Sequence, residues 1–160
     1  MYGFDEQLAD GENHEETLDS FYSQSYKVSK VSMDDQKKGI DRLFTSSDGF
    51  RFSVEYKSDT TADTTNKAFI ETVSVDTNNK PGWAYSSCSQ ILIYYIPPRN
   101  IAYRFETLKI KRLVNKWKEK YETKAAPNNG YTTLGVVVPL SEFIKHAYKV
   151  EFIRGIEHER

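Results

Sequence analysis

Asp41, Glu55 and Lys57 are the residues whose types and spacing point most directly to chemistry. They lie in two segments, KGIDRLF (38–44) and FRFSVEYK (50–57), joined by TSSDG with Gly49 to make the turn, a pattern that predicts a β-hairpin. Strand side chains alternate between faces, so Phe50, Phe52, Val54 and Tyr56 fall on one side and Arg51, Ser53, Glu55 and Lys57 on the other. If Phe44 pairs with Phe50, odd residues oppose odd ones and Asp41 faces Ser53, one diagonal from Glu55, at roughly 7 Å between Cα atoms. Two carboxylates at that separation can converge on one hard divalent cation, which prefers oxygen ligands and, as Mg²⁺, keeps several waters for reaction. Lys57 projects from the same face, where an ammonium can hold a water or a phosphate oxygen.

The plainer alternative for Glu55 and Lys57 is an exposed strand face with weak cross-strand ion pairs. An acid, any residue and then Lys occurs three times here (Asp35-Gln-Lys37, Glu55-Tyr-Lys57 and Glu122-Thr-Lys124), so the tripeptide alone carries no information. Asp41 weighs the other way, because Asp is disfavoured in strands and here lies inside the apolar frame Ile40-Asp41-Arg42-Leu43-Phe44. Glu71 shares a strand face with Phe69 and Val73 and reads either as an acid at the site edge or as a hydrogen-bonded core carboxylate. His14 and His146 read as surface or rim residues, and Trp83 and Tyr85 beside a loop are placed to stack on an unpaired base.

The elements that must position these residues follow from pattern. Leu18, Phe21 and Tyr22 form a helical stripe in an acidic segment from about residue 12 to 23. After the hairpin, SDTTADTTNK is too polar to pack and reads as a surface loop before a third strand, AFIETVSV. ILIYYI has the length and composition of a buried strand, ended by Pro97-Pro98, and IAYRF is a short extended piece. Ile110, Leu113, Val114, Trp117 and Tyr121 share one face of a helix over 106–121; TLGVVV is a further strand, and Ser141 caps a terminal helix.

With GID at 39–41 and VEYK at 54–57 on successive strands, after an acidic helix and before another strand and helix, the chain resembles the PD-(D/E)XK nuclease superfamily over about residues 12–120. The stretch FIETVSVDTNNKPGWAYSSCSQILIYYIPP is similar to a branch of that superfamily in small bacterial and phage proteins, where a strand bearing Glu precedes Lys-Pro-Gly-Trp and a tyrosine-rich apolar strand. Ile40 stands where the nominal proline would be. The resemblance implies that Asp41 and Glu55 bind Mg²⁺, with Mn²⁺ as a substitute, and that Lys57 orients or activates the attacking water. A helical acid adds a further ligand, with Glu16 the representative choice among Glu12, Glu15, Glu16 and Asp19. It also implies a restriction-endonuclease-like α/β fold, a mixed sheet flanked by helices in a single domain over 1–160, with its core at about 12–150. Gln90 and Tyr94 match the Gln-xxx-Tyr element of exonuclease-type members, but that element needs a helix and this run reads as strand.

Charge bears on partners. The formal net charge of −1 is sorted by region: residues 1–26 hold seven carboxylates and no Lys or Arg, whereas Pro97–Lys124 holds nine basic residues against three Glu. Arg99, Arg104, Lys109 and Lys116 are the candidate phosphate contacts, of the sequence-independent kind. No phosphate-binding glycine loop, HExxH or GxSxG motif is present, and one cysteine with three scattered histidines offers no zinc ligand set. The acidic N-terminus is unlike a signal peptide, and no apolar run approaches the roughly 18 residues of a membrane span, so a cytoplasmic protein without a membrane partner is expected. The resulting expectation is a Mg²⁺-dependent endonuclease acting on DNA, with a homodimer called for where both strands are cut. The second reading is a catalytically inactive nuclease-fold module that binds nucleic acid or serves a partner.

Overall fold

A computed structural model describes residues 4–154, with side chains in the first helix described from Asn13 onward apart from Gly11. In chain order the elements are α1 (Phe4–Tyr22), β1 (Lys27–Lys30), α2 (Met33–Lys37), β2 (Arg42–Thr45), β3 (Arg51–Ser58), α3 (Ala62–Thr65), β4 (Lys67–Val75), β5 (Lys80–Pro81) and α4 (Trp83–Ser86). They continue with β6 (Ile91–Ile96), β7 (Ile101–Glu106), α5 (Thr107–Lys120), β8 (Thr123–Pro127), β9 (Thr132–Pro139), α6 (Leu140–Ile144) and β10 (Lys149–Phe152). The result is a mixed α/β domain with two sheets. A six-stranded sheet runs β1-β2-β3-β6-β7-β10, and a four-stranded sheet runs β5-β4-β9-β8. Pairing within the larger sheet is antiparallel except between β3 and β6. A parallel pair needs a long crossover, and here β4, β5 and α4 supply it.

Strand alternation divides the core. Val54, Tyr56, Ile93, Tyr95 and Ala102 face α1 and pack with Leu18, Tyr22 and Phe44. Leu92, Tyr94, Ile96, Tyr103 and Phe105 face the opposite way, toward the smaller sheet, α5 and α6. The stripe on α5 is buried as its spacing predicts, through Ile110, Val114 and Trp117, with Leu113 and Tyr121 at the margin. Phe143 of α6 closes this core, stacked on Phe105 at 4.4 Å between centroids and edge-on to Tyr94 at 4.8 Å.

Several expectations are corrected. The first hairpin strand begins at Arg42, because Lys38-Gly39 forms the turn that ends α2. The hairpin register pairs Phe44 with Phe52, two residues from the expected pairing, since TSSDG folds as a wider turn closed by Ser46 N–H on the Phe50 carbonyl. The polar 58–67 loop contains the single-turn α3, whose Thr61 and Ala62 N–H groups donate to Asp59 Oδ1. IAYRF lies in β7 as the short strand expected, whereas the terminal helix begins at Leu140 with Pro139 and not Ser141 in the cap position, stops at Ile144 and gives way to β10. Strands β1 and β8 are too short and polar to have been read from periodicity. No helix among the described residues is long and apolar enough to cross a membrane.

Phe143→Ala removes the ring that three aromatic neighbours enclose. It is expected to lower unfolding free energy by about 3–5 kcal/mol in urea titrations.

Candidate active site

Strand β3 is an interior strand of the larger sheet, and its odd-numbered face, open at Arg51, is covered at Glu55, which is therefore not part of a solvated ion-pair face. Glu55 is 3% exposed. The observed register, carried back one residue from Arg42–Val54, sets Asp41 against Glu55. At that point β2 parts from its neighbour. The Asp41 N–H donates to the Val54 carbonyl at 2.8 Å, and Asp41 Oδ2 accepts the Tyr56 N–H at 2.8 Å. The carboxylate thus takes the place of a missing backbone acceptor, which explains an Asp within an otherwise apolar strand frame.

Gly39 closes over the buried acid. Its φ of +75° is a left-handed conformation, and a Cβ there would meet Ser87 Cα at 3.0 Å and Glu55 Oε2 at 3.2 Å. Glu55 Oε1 lies 3.1 Å from Lys57 Nζ, whereas Oε2 is buried with no hydrogen-bond partner. An orphaned carboxylate oxygen of this kind costs stability unless an ion or water completes it. Burial raises the Glu55 pKa, with Lys57 and the nearby Ser87 hydroxyl opposing the rise and Asp41 adding to it. For Lys57, burial works against the ammonium, but Glu55, Glu71 and Asp41 together outweigh it and raise its pKa. These three carboxylates thus favour the protonated form of the amine.

Glu71 reaches the same place from the smaller sheet. It sits where β4 bulges against β9, and burial raises its pKa while Lys57 lowers it. Gly82 of the Lys-Pro-Gly-Trp run packs directly on this strand, since a Cβ would lie 2.3 Å from the Glu71 carbonyl oxygen. Lys57 and Glu71 open onto a cleft of about 400 Å³ that Asp59, Trp83 and Tyr94 also line. Behind Glu55 a buried hydroxyl series runs from Ser87 to Ser89 (2.9 Å) to Thr107 (3.0 Å), anchored by Ser87 on the Gly39 carbonyl. The short sequence WAYSSCSQ gave no periodic signal for this series.

On the α1 side, Glu16 is exposed, and Glu15 is the acid that lies toward Asp41. Burial, and next the Asp41 charge, raises the Glu15 pKa, while Arg42 opposes. Asp19 is already engaged. It accepts from Arg42 Nε at 2.9 Å and from Nη2 at 3.0 Å, and from the Tyr56 hydroxyl at 2.9 Å. Arg42, unremarked in the sequence, is 6% exposed and lies over the Tyr56 ring. The Glu12 side chain lies outside the described residues. Among those described, no three His, Cys, Asp or Glu side chains converge as a ready-made metal group.

The expected phosphate contacts divide. Arg104 is withdrawn: it is 4% exposed, held by Glu151 through Nε and Nη2 and by the Tyr26 hydroxyl, and lies over the Tyr22 ring. Arg99 pairs with Asp63 at 2.6 Å. Lys109 and Lys116 are exposed on α5. Trp83 is buried and presents no free ring to a base, whereas Tyr85 is half-buried with its hydroxyl donating to Asn115. Gln90 precedes a strand and its Oε1 accepts the Ser53 N–H, so Gln90 and Tyr94 form no helical element. His14 packs edge-on to Tyr95, and His146 contacts Glu142. Comparison with family models, curated proteins and solved structures yields no match for this chain.

A pH dependence follows from the raised Glu55 pKa. The folded chain holds that proton more tightly than the unfolded one, so this group's contribution to stability falls as pH rises from the ordinary glutamate range through the raised value. Glu55→Gln is therefore expected to gain stability relative to wild type as pH rises above the ordinary glutamate range, measured by urea midpoints. Gly39→Ala is expected to cost about 1–3 kcal/mol by the same measurement, from strain in the left-handed region and contact with Ser87.

Proposed function

We propose that this chain is a metal-dependent nuclease that cuts within DNA strands by in-line attack of water on a phosphodiester. The observation that carries the reading is the buried Glu55 Oε2, which no well-formed hydrogen bond satisfies although the Ser87 hydroxyl lies near, beside the Lys57 ammonium and facing Asp41. These residues fit a hard divalent cation, Mg²⁺ or Mn²⁺: Glu55 offers the orphaned oxygen and Asp41 its second oxygen, with Glu15 and Glu71 flanking them. When bound, such an ion polarises the phosphate, lowers the pKa of a water and neutralises the leaving oxygen.

The chain's own groups have distinct tasks. Lys57 remains an ammonium, so it orients the attacking water or a phosphate oxygen and offsets the charge growing at phosphorus. Asp41 is fixed by the Tyr56 N–H, which removes its rotamer freedom before substrate arrives. The cleft onto which Lys57 and Glu71 open gives a phosphate a route to the reacting centre. From Glu55, Ser87 leads to a second hollow that Lys111 of α5 lines, so the basic helix flanks the acidic centre. Lys109 and Lys116 on that helix supply sequence-independent contacts to the backbone of DNA. The acidic helix and the adjoining strands that carry Asp41 and Glu55-Tyr-Lys57 support the likeness to PD-(D/E)XK nucleases.

Incubating supercoiled, branched and single-stranded DNA with Mg²⁺ or Mn²⁺ tests the reading. Asp41→Asn, Glu55→Gln and Lys57→Met are each expected to slow cleavage by at least about 100-fold. Undiminished cutting by all three overturns it. Mg²⁺ affinity, read by calorimetry, is expected to rise with pH through the raised Glu55 value, because proton and ion compete for one carboxylate. The second reading, a binding module without catalysis, draws on the Lys57–Glu55 ion pair, which occupies one carboxylate oxygen, and on the absence of a three-acid group among the described residues. It requires salt-dependent, metal-independent DNA binding with no cleavage of any substrate.

A further inference from the structure

The smaller sheet turns one face to the core and the other away from it. Ala68 and Ile70 of β4 and Val136 and Val138 of β9 are buried between the sheets, so alternation sends Lys67, Phe69 and Glu71 of β4, Gly135 and Val137 of β9 and Lys124 of β8 to the opposite face. On that face Phe69 lies down on the neighbouring strand. A Cβ at Gly135 would meet Phe69 Cζ, Cε1 and Cε2 at 2.5, 2.6 and 2.7 Å, and separations so nearly equal place it over the flat of the ring, not beyond its edge. Only glycine lets the ring lie flat there. Phe69 is half-buried, with its second ring face turned away from the sheet.

Two hollows meet at this ring. One is the cleft at Lys57 and Glu71; the other, of about 290 Å³, is lined by Thr65, Lys67, Lys124 and Val137, and Thr61 and Phe69 belong to both. Together they form a groove between the α3 turn and β8, with Phe69 at its middle. Lys57 stands toward one end, and Lys67 and Lys124 toward the other. Among the described residues neither Lys67 nor Lys124 has an ion-pair partner. The acids are answered within the molecule. Asp59 accepts from the Thr61 and Ala62 N–H groups and from the Tyr94 hydroxyl, and Lys57 offsets the Glu71 charge. Glu122, opposite Val137 at the sheet margin, lines neither hollow.

An aromatic platform flanked by cations suits a single-stranded polynucleotide, in which every base has a face to stack and phosphates lie to either side. The bases of a duplex already stack on one another and offer no face to a ring on the floor of a groove. We propose that this groove is a track for single-stranded DNA, with one base stacked on Phe69, the phosphates beside it on Lys67 and Lys124, and the strand leading past Thr61 to Lys57. Resting on the nuclease reading, this assigns an unpaired strand as the substrate that reaches Lys57. Phe69 takes the stacking role that the sequence suggested for Trp83 and Tyr85.

Binding of fluorescein-labelled oligo(dT) to the full chain, read by fluorescence anisotropy in EDTA, tests the track apart from cleavage. Oligo(dT) is expected to bind at least about 10-fold more tightly than a blunt duplex of equal length, and equal or weaker binding overturns the proposal. Phe69→Leu keeps an apolar side chain over Gly135 and is expected to raise the oligo(dT) Kd at least about 5-fold, whereas Phe69→Tyr keeps it within about 2-fold. An oligomer of abasic sites is expected to bind wild type and Phe69→Leu equally. An unchanged oligo(dT) Kd for Phe69→Leu, or an equal loss with the abasic oligomer, overturns the stacking. Lys67→Gln and Lys124→Gln alter exposed side chains and leave the fold intact. Each is expected to lower the slope of log Kd against log salt by about 0.7, the value of one phosphate contact on a single strand. Slopes unchanged in both also overturn the track. DNA cleavage that persists while binding ignores all of these substitutions refutes the track and leaves the nuclease reading standing.

Discussion

A carboxylate in the interior strand of a sheet has to be compensated by whatever surrounds it, and the architecture around Glu55 is arranged to do so only in part. Val54 and Tyr56 must point toward α1 to build one core, and alternation then commits Glu55 to the space between the two sheets. Lys57, two residues on, is carried to the same face and answers one carboxylate oxygen. Gly39 presses close above the other, and Asp41 adds a second negative charge instead of a donor. The remaining deficit sits at Oε2, so the fold tolerates an unmet polar group where an apolar residue would be more stable. Natural chains break local rules in this way chiefly at functional positions.

The opposite side of the larger sheet treats charge differently. Two guanidinium groups, Arg42 and Arg104, are buried there, each met by a carboxylate and by tyrosine rings. Arg42 ties β2 to Asp19 of α1, and Arg104 ties β7 to Glu151 of β10 and to Tyr26. The regional charge sorting seen in the sequence is therefore partly cancelled inside the molecule. Some of the acidity of α1 neutralises a core arginine, and one of the basic residues of the 97–124 stretch is locked in an internal pair. Within that stretch, the basic residues that remain exposed lie mostly on α5.

The sequence made the parity of the site legible, and the structure keeps it. Alternation placed Glu55 and Lys57 on one side of β3, a property that survives a two-residue change of register because strand period is two, whereas Asp41 lies just before β2 and its charge is felt by Glu15 as well as by Glu55 and Lys57. The α5 stripe was equally legible, since Ile110, Val114 and Trp117 recur at helical spacing. Three things were not. Burial of Glu55 depends on β6 lying alongside β3, a pairing remote in sequence. The choice of Glu15 over Glu16 depends on the rotation of α1 about its axis, which Leu18 and Tyr22 set through packing. Arg104 reads as a surface cation in any composition count, and only the return of the chain as β10 supplies Glu151 to bury it.

The parallel pairing of β3 with β6 has a consequence for how the chain reaches its folded state. The crossover that permits it, β4 with β5 and α4, is itself stabilised by β9, which is made much later in the sequence. Until β9 docks, β4 lacks its principal partner and the cleft wall bearing Glu71 is incomplete. The centre around Glu55 is then assembled from contacts of long sequence separation, which places its formation late and makes folding slow relative to helical chains of this size. A nascent or partly unfolded chain would carry all the residues of the centre without the arrangement, so its chemistry is conditional on completion of the domain.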